Sequence, residues 1–178
     1  MPLKYIKKGN KSDRGLTLTE MLLAVIVVGI LAVVTVPSLI GLFNQNQVKD
    51  GFAQVRGAIK QSQRLAMRRG RRCKIRLDTA KQEVNISPPD AKGNYTGCLL
   101  GERKLPDGVF LKNNSHPNIV FSPKGNTNSA KTIVVYSPHT QAKKCLVISL
   151  GLGIMRSGNY TGNIDNPLTY KHCDTTGS

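Results

Sequence analysis

A single carboxylate, Glu20, lies at the start of a long apolar run, and its position demands a chemical explanation. No residue from 21 to 36 is charged, and almost all of them are aliphatic. Together with Leu16 and Leu18, the run is about long enough to cross a bilayer as a helix. A lone carboxylate inside such a segment is costly unless it finds a partner. We therefore interpret Glu20 as a functional residue whose carboxylate needs a partner.

The other residues with catalytic potential form no recognisable reactive group. The histidines, His116, His139 and His172, are scattered among turn residues, and the first two adjoin prolines. The acidic residues show no paired arrangement, and the sequence contains neither a Gly-x-Ser-x-Gly motif nor a phosphate-binding glycine loop. We predict a protein that is not an enzyme and that uses no cofactor.

Four cysteines, Cys73, Cys98, Cys145 and Cys173, all lie outside the apolar run. An even number in an exported domain favours two disulfides, and four cysteines allow three pairings. Of these we favour Cys73–Cys98 together with Cys145–Cys173. A zinc site is the alternative because His172 adjoins Cys173, but no Cys-x-x-Cys or paired histidine spacing supports it. We predict no metal site.

A basic leader precedes the apolar run. The chain carries a net charge of +16, and residues 1–15 contribute five Lys or Arg and one Asp, which leaves +12 on residues 16–178. The positive leader keeps this end cytoplasmic and directs the rest of the chain outward. An uncleaved signal anchor is one interpretation, since no clean pair of small residues follows the apolar run.

The segment from Arg14 to Glu20 resembles the class III leader of type IV pilins and pseudopilins. The resemblance implies that a prepilin peptidase/methylase cuts between Gly15 and Leu16 and methylates the new N-terminus. Glu20 becomes the fifth mature residue, as in the family, and Pro37 lies where pilins often carry a helix-bending proline. Leu16 stands where the family usually has phenylalanine.

The position of Glu20 suggests a role in assembly. In a bundle of such helices, its carboxylate can pair with the N-terminal amine of a neighbouring subunit. That pairing offsets the cost of burial only in the assembled state, so Glu20 would set the axial register of an incoming subunit.

The periodicity predicts one long helix followed by short strands. Val48, Phe52, Val55 and Ile59 recur at helical spacing, so a helix from about Leu16 to Arg69 has an amphipathic second half. Strands separated by turn residues are predicted over 74–77, 83–87, 109–112, 118–121, 132–136, 145–150 and 153–156. The expected fold is α+β, the type IV pilin fold, with the helix packed on a small antiparallel β-sheet domain. We expect a cleaved leader (1–15), a transmembrane or filament-core helix (16–43) and a globular domain (44–178), in which a helix (44–70) and a sheet (73–156) precede a C-terminal tail (157–178).

The globular part resembles the FimT/GspH minor pilins and pseudopilins in the stretches 63–70, 74–77 and 121–125, and in 147–149 running into Gly153. In FimT-like proteins the last strand pair leads into Gly-Arg-x-Arg, which is implicated in DNA binding. Here the corresponding residues are Gly153-Ile154-Met155-Arg156, so only Gly153 and Arg156 carry over. Arginines crowd the helix end as well, and Arg68, Arg69, Arg71 and Arg72 are candidate phosphate contacts, although a solvated basic face is the simpler interpretation.

The resemblances together imply a minor pilin or pseudopilin, a non-catalytic structural or priming subunit of a type IV pilus or related filament. Its expected partners are the prepilin peptidase/methylase, other pilins and the inner-membrane assembly platform. We expect a single-pass protein of the cytoplasmic membrane whose domain is exported to the periplasm or cell surface. The alternatives are a FimT-like pilin that binds double-stranded DNA without sequence specificity during uptake, and a pseudopilin of a type II secretion system.

Overall fold

A computed structural model describes residues 17–86 and 101–175, except for the side chains of residues 33–38, 85 and 86. The helix α1 runs from Leu18 to Arg69, and the chain divides between Leu39 and Ile40 into two compact units. In the first unit, the described side chains from 17 to 32 are all exposed. Among the described residues, no helix is both long and apolar enough to cross a membrane. The predicted span over 16–43 is therefore not confirmed.

The strands of the second unit form two antiparallel sheets within the described part of the chain. The first has the order β3-β2-β1-β5, and the second has the order β4-β6-β7-β8-β9. Their bounds are β1 Cys73–Asp78, β2 Glu83–Ile86, β3 Arg103–Lys104, β4 Phe110–Asn113, β5 Asn118–Phe121, β6 Lys131–Tyr136, β7 Lys143–Ile148, β8 Met155–Tyr160 and β9 Cys173–Asp174. This is the predicted α+β arrangement, with two sheets where we expected one.

The apolar stripe of α1 builds the main core. Val48, Val55 and Ile59 are fully buried, and the half-buried Phe52 packs against the same cluster, as the helical spacing predicted. Ser62 is buried on this stripe as well, and its hydroxyl donates to the Ala58 carbonyl oxygen at 2.9 Å, which satisfies the buried polar group. Every residue of both apolar clusters lies between Val48 and Cys173. The fragment 45–178 therefore contains both apolar clusters of the described residues.

A smaller apolar cluster covers the opposite face of the second sheet. It contains Val134 and Tyr160 of the sheet and Leu168 of the C-terminal segment. The same segment is fixed to β7 by the Cys145–Cys173 disulfide, whose Cα atoms are 5.9 Å apart. The pairing predicted for these two cysteines is confirmed. Cys73 is also disulfide-bonded, whereas its predicted partner, Cys98, lies outside the described residues.

Several strand bounds differ from the predicted ones. β7 ends at Ile148 and β8 begins at Met155, because Gly151 and Gly153 adopt positive φ values of 80° and 63° in the turn between them. The sheet also continues past residue 156, where we predicted the start of the tail: β8 reaches Tyr160 and pairs with β9. The strands β3 and β9 were not predicted, because each has two residues. A segment of that length is too short to show the alternation of apolar and polar residues by which strands are identified.

Candidate functional site

Glu20 lies in the first turn of α1, where Thr17 caps the helix. The Glu20 backbone N–H donates to the Thr17 carbonyl oxygen at 3.1 Å and lies 3.3 Å from the Thr17 hydroxyl, which accepts from it. This arrangement satisfies a free amide of the helix start and places a carboxylate at the positive end of the helix dipole. The signal for it is the Thr-x-x-Glu spacing, which our sequence analysis missed.

The residues of the predicted cleavage site, Gly15 and Leu16, lie outside the described residues. The side chain of Pro37 is outside them too, so the bend at Pro37 stays a prediction. Glu20 itself is exposed, as are its described neighbours on the first unit of α1.

The basic cluster of Arg68, Arg69, Arg71 and Arg72 surrounds the C-terminal end of α1. Gly70 ends the helix with a φ of 60°, so the cluster passes from the last helical turn into the segment before β1. All four arginines are exposed. Positive charge at this end of a helix is favourable in itself.

Arg156 lies on β8, directly opposite Val147 of β7, and is exposed. It lines a cavity of about 340 Å³ together with Asn114, Lys131, Leu150 and Tyr170. A second cavity of about 360 Å³ is lined by Arg72, Asn126, Asn128 and Gly151, among others. Because Leu150 lines the first cavity and Gly151 lines the second, Arg156 and Arg72 both lie near the hairpin between β7 and β8.

Lys131 is the charged residue that the sequence analysis missed. It is 2% exposed, and its ammonium donates to the Ser115 hydroxyl at 3.1 Å and to the His116 carbonyl oxygen. Burial lowers its pKa from 10.5 to about 8. Lys131 is the first residue of β6, and a lysine at a strand end is ordinarily expected on the surface. The sequence around Lys131 therefore does not predict its burial.

The described residues contain no cluster that could hold a metal ion. No group of three or more His, Cys, Asp or Glu residues comes together in 17–86 and 101–175. His116 and His139 are exposed in loops, and the ring of His172 lies edge-on to Tyr160 with centroids 6.1 Å apart. The site that can be described is therefore a set of surfaces: the start of α1, the basic end of α1 and the β7–β8 hairpin.

Comparisons with known proteins identify two segments of the chain. A family model for Type II transport protein GspH matches residues 53–152, and a model for the prokaryotic N-terminal methylation motif matches residues 10–36. A search of curated proteins finds no match.

Two solved structures are similar to the chain at low identity. The minor pseudopilin EpsH of the Vibrio cholerae type 2 secretion system is 12% identical over 57% of this chain and 87% of that protein, with a TM-score of 0.45. The Pseudomonas aeruginosa type IV minor pilin FimU is 15% identical over 64% and 86%, with a TM-score of 0.44.

Proposed function

Because the chain belongs to the GspH family of type II transport proteins, we propose that it is a minor pilin or pseudopilin, a non-catalytic subunit of a type IV pilus or related filament. One observation carries this proposal: the methylation motif at 10–36 and the GspH match at 53–152 occur in that order in one chain. A processed leader and a filament-type domain on one polypeptide are what such a subunit requires.

Processing and anchoring follow from the leader. Prepilin peptidase would cut after Gly15 and methylate Leu16, and the apolar first part of α1 would hold the subunit in the cytoplasmic membrane until assembly. Assembly would bury this exposed segment against the helices of other pilins. Intact-mass measurement of the protein from its host is the test. A chain that begins at Leu16 and carries one added methyl group is expected; one that keeps Met1 or begins beyond Pro37 would overturn the proposal.

Glu20 would align the subunit during assembly by pairing with a neighbour's N-terminal amine. Glu20→Gln keeps the size of the side chain and removes its charge, so membrane insertion should persist while incorporation into sheared filaments falls. Thr19→Ala is the matched control, because Thr19 is an exposed, uncharged neighbour on the same turn. Equal incorporation of Glu20→Gln and the wild type would refute the assembly role.

DNA uptake is the second candidate function, and one observation favours it: exposed arginines lie at the end of α1 and near the β7–β8 hairpin. Such a surface can contact phosphates without reading sequence. Ile154 occupies the position of an arginine in the FimT-like motif and is exposed without charge. We therefore assign the leading role in phosphate contact to the helix end.

Fluorescence anisotropy of the fragment 45–178 with duplex DNA, at low and near-physiological salt, tests this candidate. Affinity should fall steeply with salt and depend little on sequence. Replacing Arg68, Arg69, Arg71 and Arg72 together should weaken binding more than Arg156→Ala, and the exposed Lys81→Ala should have little effect. Absence of binding at low salt would remove DNA uptake from consideration. The third candidate function is that of a pseudopilin in a type II secretion system. A secretion assay on a deletion strain distinguishes it from the other two, because only a secretion pseudopilin should be required for protein export.

A further inference from the structure

The turn between β7 and β8 exposes three large aliphatic side chains. Leu150 is 65% exposed, Leu152 is 68% exposed and Ile154 is 49% exposed. We call these three residues the hairpin tip. By contrast, Leu146 and Ile148 of β7 are buried in the core. An apolar group of this kind, outside the core, marks an interaction surface.

Backbone and side-chain hydrogen bonds hold the hairpin tip in one conformation. Gly151 exchanges two backbone hydrogen bonds with Thr127, at 2.9 and 3.0 Å. The amide of Gln63, on α1, donates to the carbonyl oxygens of Gly153 at 3.1 Å and Gly125 at 2.9 Å. A Cβ on Gly153 would lie 2.6 Å from the Gly125 carbonyl oxygen, so the turn is packed against its neighbour. A surface already ordered in this way loses little conformational entropy on docking.

The rim of the hairpin tip is cationic. The exposed Arg72 lines one cavity together with Gly151, and the exposed Arg156 lines the other together with Leu150. No Asp or Glu lines either cavity among the residues that the structure describes. Two copies of the chain meeting through this face would bring like charges together, which opposes a symmetric contact.

We propose that the hairpin tip docks onto a different subunit of the same filament, at an apolar surface rimmed by Asp or Glu. The proposal rests on the proposed function. Duplex DNA would satisfy the arginines but offers phosphates rather than an apolar surface to Leu150, Leu152 and Ile154. A lipid surface would accept the aliphatic side chains, but it would not fill the two cavities beside them. Side chains that protrude from a protein partner can fill such cavities. The apolar centre with a charged, partly polar rim is the usual anatomy of a protein interface.

Photo-crosslinking from position 152 of the full-length chain, in its own host, tests the proposal. With p-benzoylphenylalanine at 152, we expect an adduct with a second protein that carries a class III leader and has a different sequence, identified by mass spectrometry. The same group at the exposed position 80, in the β1–β2 turn, is the control and should give no such adduct. Leu150→Ser and Ile154→Ser should each reduce the adduct roughly tenfold, the effect of losing one aliphatic contact.

Charge reversal then examines the rim. Arg72→Glu together with Arg156→Glu should reduce the adduct, whereas Lys81→Glu should leave it unchanged. An adduct that forms only with a second copy of the chain, with phospholipid or with DNA would overturn the proposal, as would equal adducts from positions 152 and 80.

Failure of the docking surface and failure of the filament role give different results. If mature chains beginning at Leu16 enter filaments but position 152 gives no adduct with another subunit, the docking proposal is wrong and the filament role stands. If the chain keeps its leader, no filament partner can be captured and both proposals are wrong.

Discussion

Lys131 should make the domain less stable at neutral pH than it would be with an apolar residue in its place. The ammonium is buried on β6, and its described partners are the Ser115 hydroxyl and the His116 carbonyl oxygen, which are neutral acceptors. Burial without a carboxylate lowers the pKa of Lys131 from 10.5 to about 8. Lys131→Met keeps the length of the aliphatic stem and removes the charge.

The direction of the effect follows from proton linkage. Between pH 8 and 10.5 the unfolded chain binds a proton that the folded chain releases, so the contribution of Lys131 to stability rises with pH across this window. Below pH 8 the full penalty is present, and above pH 10.5 it has vanished. The pKa difference corresponds to about 3 kcal/mol as an upper bound. Structural relaxation and water penetration around a buried ammonium reduce the expected penalty to roughly 1–2 kcal/mol.

Urea unfolding of the fragment 45–178 at pH 7, 9 and 10.5 measures the effect. Lys131→Met should be more stable than the wild type by roughly 1–2 kcal/mol at pH 7, and the difference should shrink as the pH approaches 10.5. The exposed Lys171→Met is the control and should show no such trend. A destabilised Lys131→Met at pH 7, or a difference that does not change with pH, would refute the reasoning.

Three further perturbations test the packing of the second unit by urea unfolding. Gly158→Ala should be strongly destabilising, because the new Cβ would lie 1.8 Å from the Asp174 carbonyl oxygen. Gly57→Ala should instead stabilise α1 by about 0.5–1 kcal/mol, because no atom lies within 4 Å of the added Cβ. Similar changes in the free energy of unfolding for the two variants would contradict the β8–β9 packing. Replacing both Cys145 and Cys173 by Ser should cost about 3–4 kcal/mol, because the disulfide closes a loop with a sequence separation of 28; a cost near zero would mean that the tail is held by other contacts. Gln63→Leu should cost about 1–2 kcal/mol and increase hydrogen exchange at the Gly151 amide, since two carbonyl oxygens lose their donor; unchanged exchange would show that Gln63 does not fix the turn.

The spacing of apolar residues along the chain was enough to predict the helix and several of the strands. The 3.6-residue spacing identified the buried face of α1, and alternation bounded by turn residues located β1, β5 and β6 within one residue at each end. Burial of Val48, Val55 and Ile59 follows from the same spacing, because a helix that packs on one side must bury one stripe.

Features that depend on long-range pairing could not be predicted in this way. The division of the strands into two sheets depends on which strands become neighbours, and β5 joins β1 while β4 joins β6. Lys131 is buried because its strand lies beside the loop that contains Ser115 and His116. The residues that flank Lys131 in the sequence do not indicate that this loop will lie next to it. The Thr17 cap is a different case: its Thr-x-x-Glu signal was present in the sequence.

The predicted bounds of β7 and β8 were wrong at the turn between them, and the residues concerned form an exposed apolar surface. We predicted Leu150 and Ile154 to lie in strands, because both belong to short β-rich runs separated by turn residues. The structure instead places both outside the strands, in a turn whose glycines have positive φ. The Ile154 carbonyl oxygen still accepts from the Ser149 N–H at 2.9 Å, but neither aliphatic side chain packs in the core. A turn normally carries polar residues, so exposed aliphatic residues in an ordered turn indicate a contact outside the folded monomer. The same substitution that removes an arginine from the FimT-like motif, at Ile154, adds apolar surface at this tip. We infer that, at this position, the chain is better suited to a protein partner than to phosphate.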